Sequence, residues 1–239
     1  MKAVFFDAGG TLVHIDYQRI AGLVLRVLGR DVSRLDFVAA EYAGRAAVEA
    51  GMAKGDLPTD TSRWGVHFRA ALGSVGVTGD EFDRMVPEIL AENKRKHLWT
   101  HVLPGTGDGL AALKKAGYLV ALISNADGHV EELLEGVGLR QHLEFIVDSG
   151  LVKIEKPDPR IFEIALGRAR EAGEGWKSLA FADCYYVGDT LPIDVVGSRG
   201  VGMTPVLLDP LGRYGHVGCL TIRDVPGFCR EVAAKKAAA

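Results

Sequence analysis

Short apolar runs that end in small or acidic residues, separated by helical patterns, constrain this chain more than any other feature. Lys2–Asp7 (KAVFFD), Tyr118–Ser124 (YLVALIS), Glu144–Asp148 (EFIVD), Ala182–Asp189 (ADCYYVGD) and Met203–Leu208 (MTPVLL) read as buried strands. Helical periodicity lies between or after them at Gly107–Gly117, Gly128–Gly136, Pro159–Ala172 and Pro192–Gly200. Strands that alternate with helices predict an α/β fold, a Rossmann-like parallel sheet with helices on both faces. Right-handed crossovers then bring all strand C-termini to one edge, where open α/β sheets bind ligands.

Residues 17–98 break the alternation. Ile20-Ala21-Leu23-Val24-Val27-Leu28 and Phe82-Met85-Val86-Ile89-Leu90 carry the helical spacing, and little here reads as strand. The block is predicted to be an all-helical insert over 16–98, inside an α/β core made of 1–15 and 99–239. Gly55–Asp60 (GDLPTD) is expected to be a loop within the insert, and the AKKAAA tail from Ala234 a fraying helix end or disordered. The 30 glycines in 239 residues exceed the usual share of roughly 7%, which indicates many tight turns and close approaches.

Charge narrows the function classes. A net charge of −3 gives no basic face for a nucleic-acid partner. No apolar run reaches the ~20 residues of a membrane helix, and no signal pattern opens the chain, so no membrane association is expected. Cys184, Cys219 and Cys229 form no disulfide framework and show no metal-ligand spacing, which points to a reducing cytoplasm.

Four segments at predicted strand ends carry the chemistry. Asp7-Ala8-Gly9-Gly10-Thr11 can present a carboxylate as nucleophile or metal ligand, although an aspartate before a glycine turn also serves as a plain cap. Ser124-Asn125-Ala126-Asp127 offers a hydroxyl and helix-start N–H groups suited to an anion, or equally an N-cap pair for the helix from Gly128. Lys156-Pro157-Asp158-Pro159 holds a cation at a fixed helix entry, a feature that on its own reads as solvated surface. Asp189 and Asp194 stand five positions apart across a strand end and a helix start, where their carboxylates can converge on a divalent cation, best Mg²⁺.

In this order and topology, FFDAGGTL, ISNA, KPDPRIF and VGDTLPIDVVGSRGVGM resemble the motifs of the haloacid-dehalogenase-like (HAD) hydrolase superfamily over about residues 2–210. The resemblance implies that the insert is a cap domain and Asp7 the nucleophile that forms an aspartyl-phosphate. It implies that Gly10, Thr11, Ser124, Asn125 and Lys156 hold the phosphoryl group, with Lys156 also neutralising charge. Asp7, the Gly9 backbone carbonyl, Asp189 and Asp194 would hold Mg²⁺.

One position departs from the family pattern. Its phosphatases usually carry a second aspartate two residues after the nucleophile as general acid and base, and here that residue is Gly9. General acid–base help is typically worth ~10²–10⁴-fold. A phosphohydrolase of a small phosphorylated molecule is the reading the acidic pair favours. A 2-haloacid dehalogenase, a phosphonate hydrolase with Lys54 as the cap lysine, and a non-catalytic phosphate- or partner-binding homologue stand as alternatives. His14, Asp16 and His67 are candidates by type for a substitute acid, against ordinary packing or surface roles. Arg45, Arg63, Trp64 and His67 could recognise substrate or simply cover a helix surface. Oligomeric state is not legible.

Overall fold

The structure is a computed structural model, and it describes residues 1–32, 36–56 and 60–237. Two compact units divide the chain: Met1–Val13 with Val102–Ala239, and His14–His101.

The first unit is built on six parallel strands, β1 (Ala3–Phe6), β2 (Leu119–Ser124), β3 (Ile146–Asp148), β4 (Cys184–Gly188), β5 (Thr204–Leu208) and β6 (Leu220–Ile222), in the order β3-β2-β1-β4-β5-β6. The chain moves outward from β1 through β2 and β3, then restarts on the other side with β4. The crevice between β1 and β4 is therefore the point where a doubly wound sheet opens a ligand site. Alternation along β1 explains the two layers. Ala3 and Phe5 join Ala121, Ile123, Cys184 and Tyr186 against Ile161, Phe162, Ala165 and Ala169 of the helix Pro159–Glu171. Val4, Phe6, Val120 and Leu122 are equally buried and point to the opposite face. There the helix Thr106–Lys115 packs on Val225–Ala237, with Gly109 against the Cys229 side chain.

Three elements depart from the sequence reading. The short edge strand β6 carries exposed Leu220 and Thr221, so no apolar run announces it. The segment Pro192–Gly200 is not one α-helix, because a π-helical turn over Leu191–Val195 precedes Val196–Gly200. The helix after Ser124 begins at Val130, not Gly128. The tail is helical through Ala237, held by Lys236 Nζ donating to Gly117 O at 2.8 Å and lying over the Tyr118 ring; the last two alanines lie outside the described residues.

The second unit contains, among the described residues, the helices Tyr17–Leu28, Phe37–Lys54, Asp60–Gly73 and Gly79–Arg95. An antiparallel ribbon of His14–Ile15 and Trp99–His101 closes it, so strand structure does occur at both ends of the insert. The first helix starts where Asp16 accepts the Arg19 N–H at 3.1 Å and stops at Gly29, whose φ of +69° suits glycine. Arg19 ties it to the last helix by donating to Glu92 Oε1 at 2.7 Å and to the carbonyls of Lys96 and His97. Of the loop expected over 55–60, residues 57–59 lie outside the described residues, and Asp60 opens a helix. Phe68, Phe82, Met85, Ile20 and Ile89 form the core. Phe68→Ala, at a fully buried position, is expected to lower stability by ~3–5 kcal/mol, read by chemical denaturation of the full chain.

Candidate active site

Parallel pairing places three chain segments at one edge. Phe6 lies beside Leu122 and Val187, so Asp7, Ser124 and Asp189 fall within two residues of the same level. Asp7 keeps its backbone in the sheet by donating its N–H to Val187 O at 2.8 Å. The chain then turns tightly, with the amides of Thr11, Leu12 and Val13 all directed at Ala8 O. Gly10 has φ +84°, and a Cβ there would stand 2.5 Å from Asp189 Oδ2. Gly188 is under a similar constraint, since its Cβ would lie 2.3 Å from the Asp194 carboxyl carbon. These two glycines let the acidic segments approach.

Lys156 organises what they bring together. Its side chain is 1% exposed, and Nζ donates to Asp7 Oδ1 at 2.6 Å, Tyr186 Oη at 2.8 Å and Asp194 Oδ1 at 2.9 Å. An ammonium has three N–H donors, and all three are used. The Thr11 hydroxyl donates to the other Asp7 oxygen at 3.3 Å. Asp194 is more heavily engaged. Oδ1 faces Lys156 and the Tyr186 hydroxyl, while Oδ2 accepts the backbone N–H groups of Asp189 (3.1 Å) and Thr190 (3.0 Å). A carboxylate has about four acceptor positions, so Asp194 is committed to the loop and the lysine.

The electrostatics follow from burial and pairing. Burial pushes the Asp7 carboxyl up to about 6, against the pull of Lys156, and Asp194 adds to the rise. Burial alone would lower the Lys156 ammonium, but Asp194, Asp7 and Tyr186 hold it well above its usual range. Tyr186 is raised well above a normal phenol, chiefly by burial, and stays protonated. Asp7, Asp189 and Asp194 can bring ligand oxygens within 4.8 Å of one another. Hard oxygen donors grouped in this way fit a divalent cation.

Two residues expected to bind phosphate have hydrogen-bonding groups engaged within the chain. The Gly10 N–H is committed to Val13 O at 2.8 Å, so this glycine acts through its shape. Asn125 spends both ends of its amide on Lys156: Oδ1 accepts the Lys156 N–H at 2.8 Å and Nδ2 donates to Lys156 O at 3.0 Å. The helix-start amides are occupied as well. Ser149 Oγ takes the N–H of Ala126, and Asp148 takes those of Gly128 and Val130. Ser124 ends β2 at 3% exposure. Gly9 lies exposed in the turn after Asp7.

Asp148, Ser149 and Tyr186 are the residues that sequence reasoning missed. Asp148 ends a strand, as Asp7 and Asp189 nearly do, and that shared position was the available signal. Tyr186 carried none, because an aromatic in a strand reads as core.

The remaining candidates belong to the helical unit. Asp16 is a helix cap. His14 and His67 are driven down to about 4, first by burial, with His101 and Arg45 contributing at His14 and Arg45 at His67. His67 Nε2 lies 3.3 Å from the Tyr17 hydroxyl and 3.7 Å from Glu41 Oε2. Arg45 and Arg63 are buried, at 6% and 8% exposure, which corrects their reading as helix surface. The Trp64 ring packs on Phe68 at a tilt, with centroids 4.6 Å apart. Lys54 is exposed at a helix end, unlike a lysine desolvated for Schiff-base chemistry.

The family model described as haloacid dehalogenase-like hydrolase matches residues 1–202. The mouse haloacid dehalogenase-like hydrolase domain-containing protein 3 is 39% identical over 123 residues, covering 52% of this chain and 46% of that protein. The chain thus spans less than half the length of that relative. The phosphoserine phosphatase of Thermus thermophilus is 30% identical over 178 residues, covering 71% of this chain and 67% of the relative. A magnesium-bound HAD-hydrolase structure from Bacillus subtilis superimposes with a TM-score of 0.66 at 18% identity, over 97% of this chain and 98% of that one, which bears on the fold alone.

Paired glycine substitutions test the packing of the acidic edge. Gly188→Ala is expected to destabilise by ~1–3 kcal/mol through overpacking. Gly167→Ala, half-buried in its helix with nothing within 4 Å of an added Cβ, is expected to stabilise by ~0.5–1 kcal/mol. Thermal unfolding of the two variants beside the parent measures both.

Proposed function

The chain belongs to the haloacid dehalogenase-like hydrolase family, and on that premise we propose that it is a Mg²⁺-dependent phosphohydrolase acting on a small phosphorylated molecule. The observation that carries this reading is the grouping of three carboxylates at the strand edge: ligand oxygens of Asp7, Asp189 and Asp194 lie within 4.8 Å of one another. Displacement at carbon by an aspartate needs no such group. The phosphatase names among the relatives support the same choice.

Asp7 is the nucleophile. One of its oxygens bonds to phosphorus as the bond from phosphorus to the leaving oxygen breaks, giving an aspartyl-phosphate and an alkoxide that takes its proton from solvent. Water then attacks the phosphorus, which releases inorganic phosphate and restores the carboxylate. Lys156 keeps Asp7 oriented and offsets charge on the phosphoryl group, and the hydroxyls of Thr11 and Ser124 hold its oxygens. Asp7 and Asp189 would hold Mg²⁺, with Asp194 fixing their surroundings; the metal supplies charge neutralisation of the phosphoryl oxygens. Positioning and neutralisation carry most of phosphoryl transfer. The helical unit acts as the cap that selects the substrate, and the protein works in the cytoplasm.

Gly9 provides no carboxyl to protonate the leaving group, so esters with good leaving groups are the expected substrates. A panel of phosphate esters and 2-haloacids, assayed with Mg²⁺ and with chelator, tests the reading. Phosphate release abolished by chelator is expected, and halide release that survives chelation would overturn it. Asp7→Asn should eliminate turnover while the thermal transition persists, and activity retained in that variant removes Asp7 as the nucleophile. Gly9→Asp restores a proton donor and is expected to raise turnover of poor-leaving-group esters, up to ~10²-fold. An unchanged rate would show that protonation of the leaving group does not limit it.

A further inference from the structure

A buried tyrosine needs one hydrogen-bond partner to be satisfied, and Tyr186 makes three contacts. Its hydroxyl lies 3.1 Å from Ile123 O, 3.2 Å from Asp194 Oδ1 and 2.8 Å from Lys156 Nζ. The ring is fixed as well, edge-on to Phe162 with centroids 5.4 Å apart, on a residue with no solvent exposure. Ile123 directly precedes Ser124, so one oxygen touches the end of β2, the lysine segment and the acidic loop after β4.

We propose that Tyr186 is a positioning residue of the active site, whose hydroxyl sets the rotation of the Lys156 ammonium and so the direction of the N–H that meets Asp7. The inference rests on the phosphohydrolase reading for its kinetic consequence, but not for its geometric one.

The reasoning is a matter of counting donors and acceptors. The ammonium turns freely about its last carbon–nitrogen bond unless each proton has an acceptor. Two acceptors are carboxylates, on Asp7 and Asp194. The third is Tyr186 Oη, which is able to accept because its own proton is directed at Ile123 O or Asp194 Oδ1. Of the three bonds made by Lys156, the one to the neutral hydroxyl is the weakest. It is therefore the hydrogen bond most easily redirected to an arriving phosphoryl oxygen, while the bonds to Asp7 and Asp194 keep the side chain in register. A phenyl ring in the same place preserves the packing on Phe162 and removes the third acceptor.

The adjacent residue supplies the control. Tyr185 lies on the opposite face of β4, where its ring meets Phe228 edge-on at 5.7 Å. Tyr186→Phe and Tyr185→Phe remove the same atom one residue apart.

The test is a nitrogen-15 correlation spectrum of the lysine ammonium groups, with Lys156 assigned by the loss of its signal in Lys156→Arg, together with steady-state kinetics. For Tyr186→Phe, the Lys156 signal is expected to shift or broaden, and kcat to fall by on the order of 10-fold with KM within threefold. Tyr185→Phe is expected to leave both unchanged. An unmoved Lys156 signal in Tyr186→Phe, an effect on KM alone, or an equal loss in Tyr185→Phe would overturn the proposal. Failure of the parent protein to turn over any phosphate ester would sink the phosphohydrolase reading and leave the spectrum to decide the placement of Lys156. Should Tyr186→Phe not fold, the parent protein grown with 3-fluorotyrosine, which retains every hydroxyl but changes its acidity, must shift the Lys156 signal; no shift counts against the proposal.

Discussion

A fully buried ammonium among two carboxylates and a phenol is the interaction on which the rest of the acidic edge depends. Lys156 reaches Asp7 and Asp194 at 2.6 and 2.9 Å with almost no solvent contact. Removal of one member of such a group leaves an uncompensated buried charge, which is far more costly than never having built the pair. The surrounding chain is arranged accordingly. Asn125 clamps the Lys156 backbone from β2, two amides of the loop after β4 neutralise the far oxygen of Asp194, and Gly10 and Gly188 clear the space in which the carboxylates meet. Interactions that could be taken for independent ligand contacts are in large part supports for one cation.

This division of labour explains which parts of the site were legible in the sequence. Asp7, Asp189 and Asp194 could be read because each stands at a strand end or helix entry, whereas Lys156 alone reads as solvated surface and was legible only from its place in the order of the four motifs. The structure brings Asp7 and Asp194 onto Lys156 and groups the three acids. The roles of Gly10 and Asn125 could not be read. Whether an amide faces a ligand or a neighbouring carbonyl depends on side-chain and turn geometry that spacing does not encode. Tyr186 was hidden for a related reason: its ring satisfies the strand pattern, and only the position of one oxygen distinguishes it from a phenylalanine.

The fold was legible where burial is symmetric and obscure where it is not. The four inner strands and the edge strand β3 are largely apolar because helices cover both faces of the sheet, and such runs stand out from their surroundings. The edge strand Leu220–Ile222 and the ribbon strands His14–Ile15 and Trp99–His101 are short and lie outside the large sheet's centre, so neither length nor period marks them. The same applies to Arg45 and Arg63. Charged residues at helical spacing look like a solvated face, yet both are buried within the helical unit.

The ribbon that joins Ile15 to Trp99 has a consequence for how the chain finds its fold. β1 must pair with β2, Ala3 beside Leu119, and with β4, Ala3 beside Cys184, across more than a hundred residues in each case. Closing so long a segment as free coil costs conformational entropy, and contacts of this separation slow folding. An insert that condenses around its own core and zips its two ends into a ribbon shortens that search. The chain on either side then emerges from neighbouring strands, and the first strand of the central sheet is separated from its second by little more than the crossover helix Thr106–Lys115.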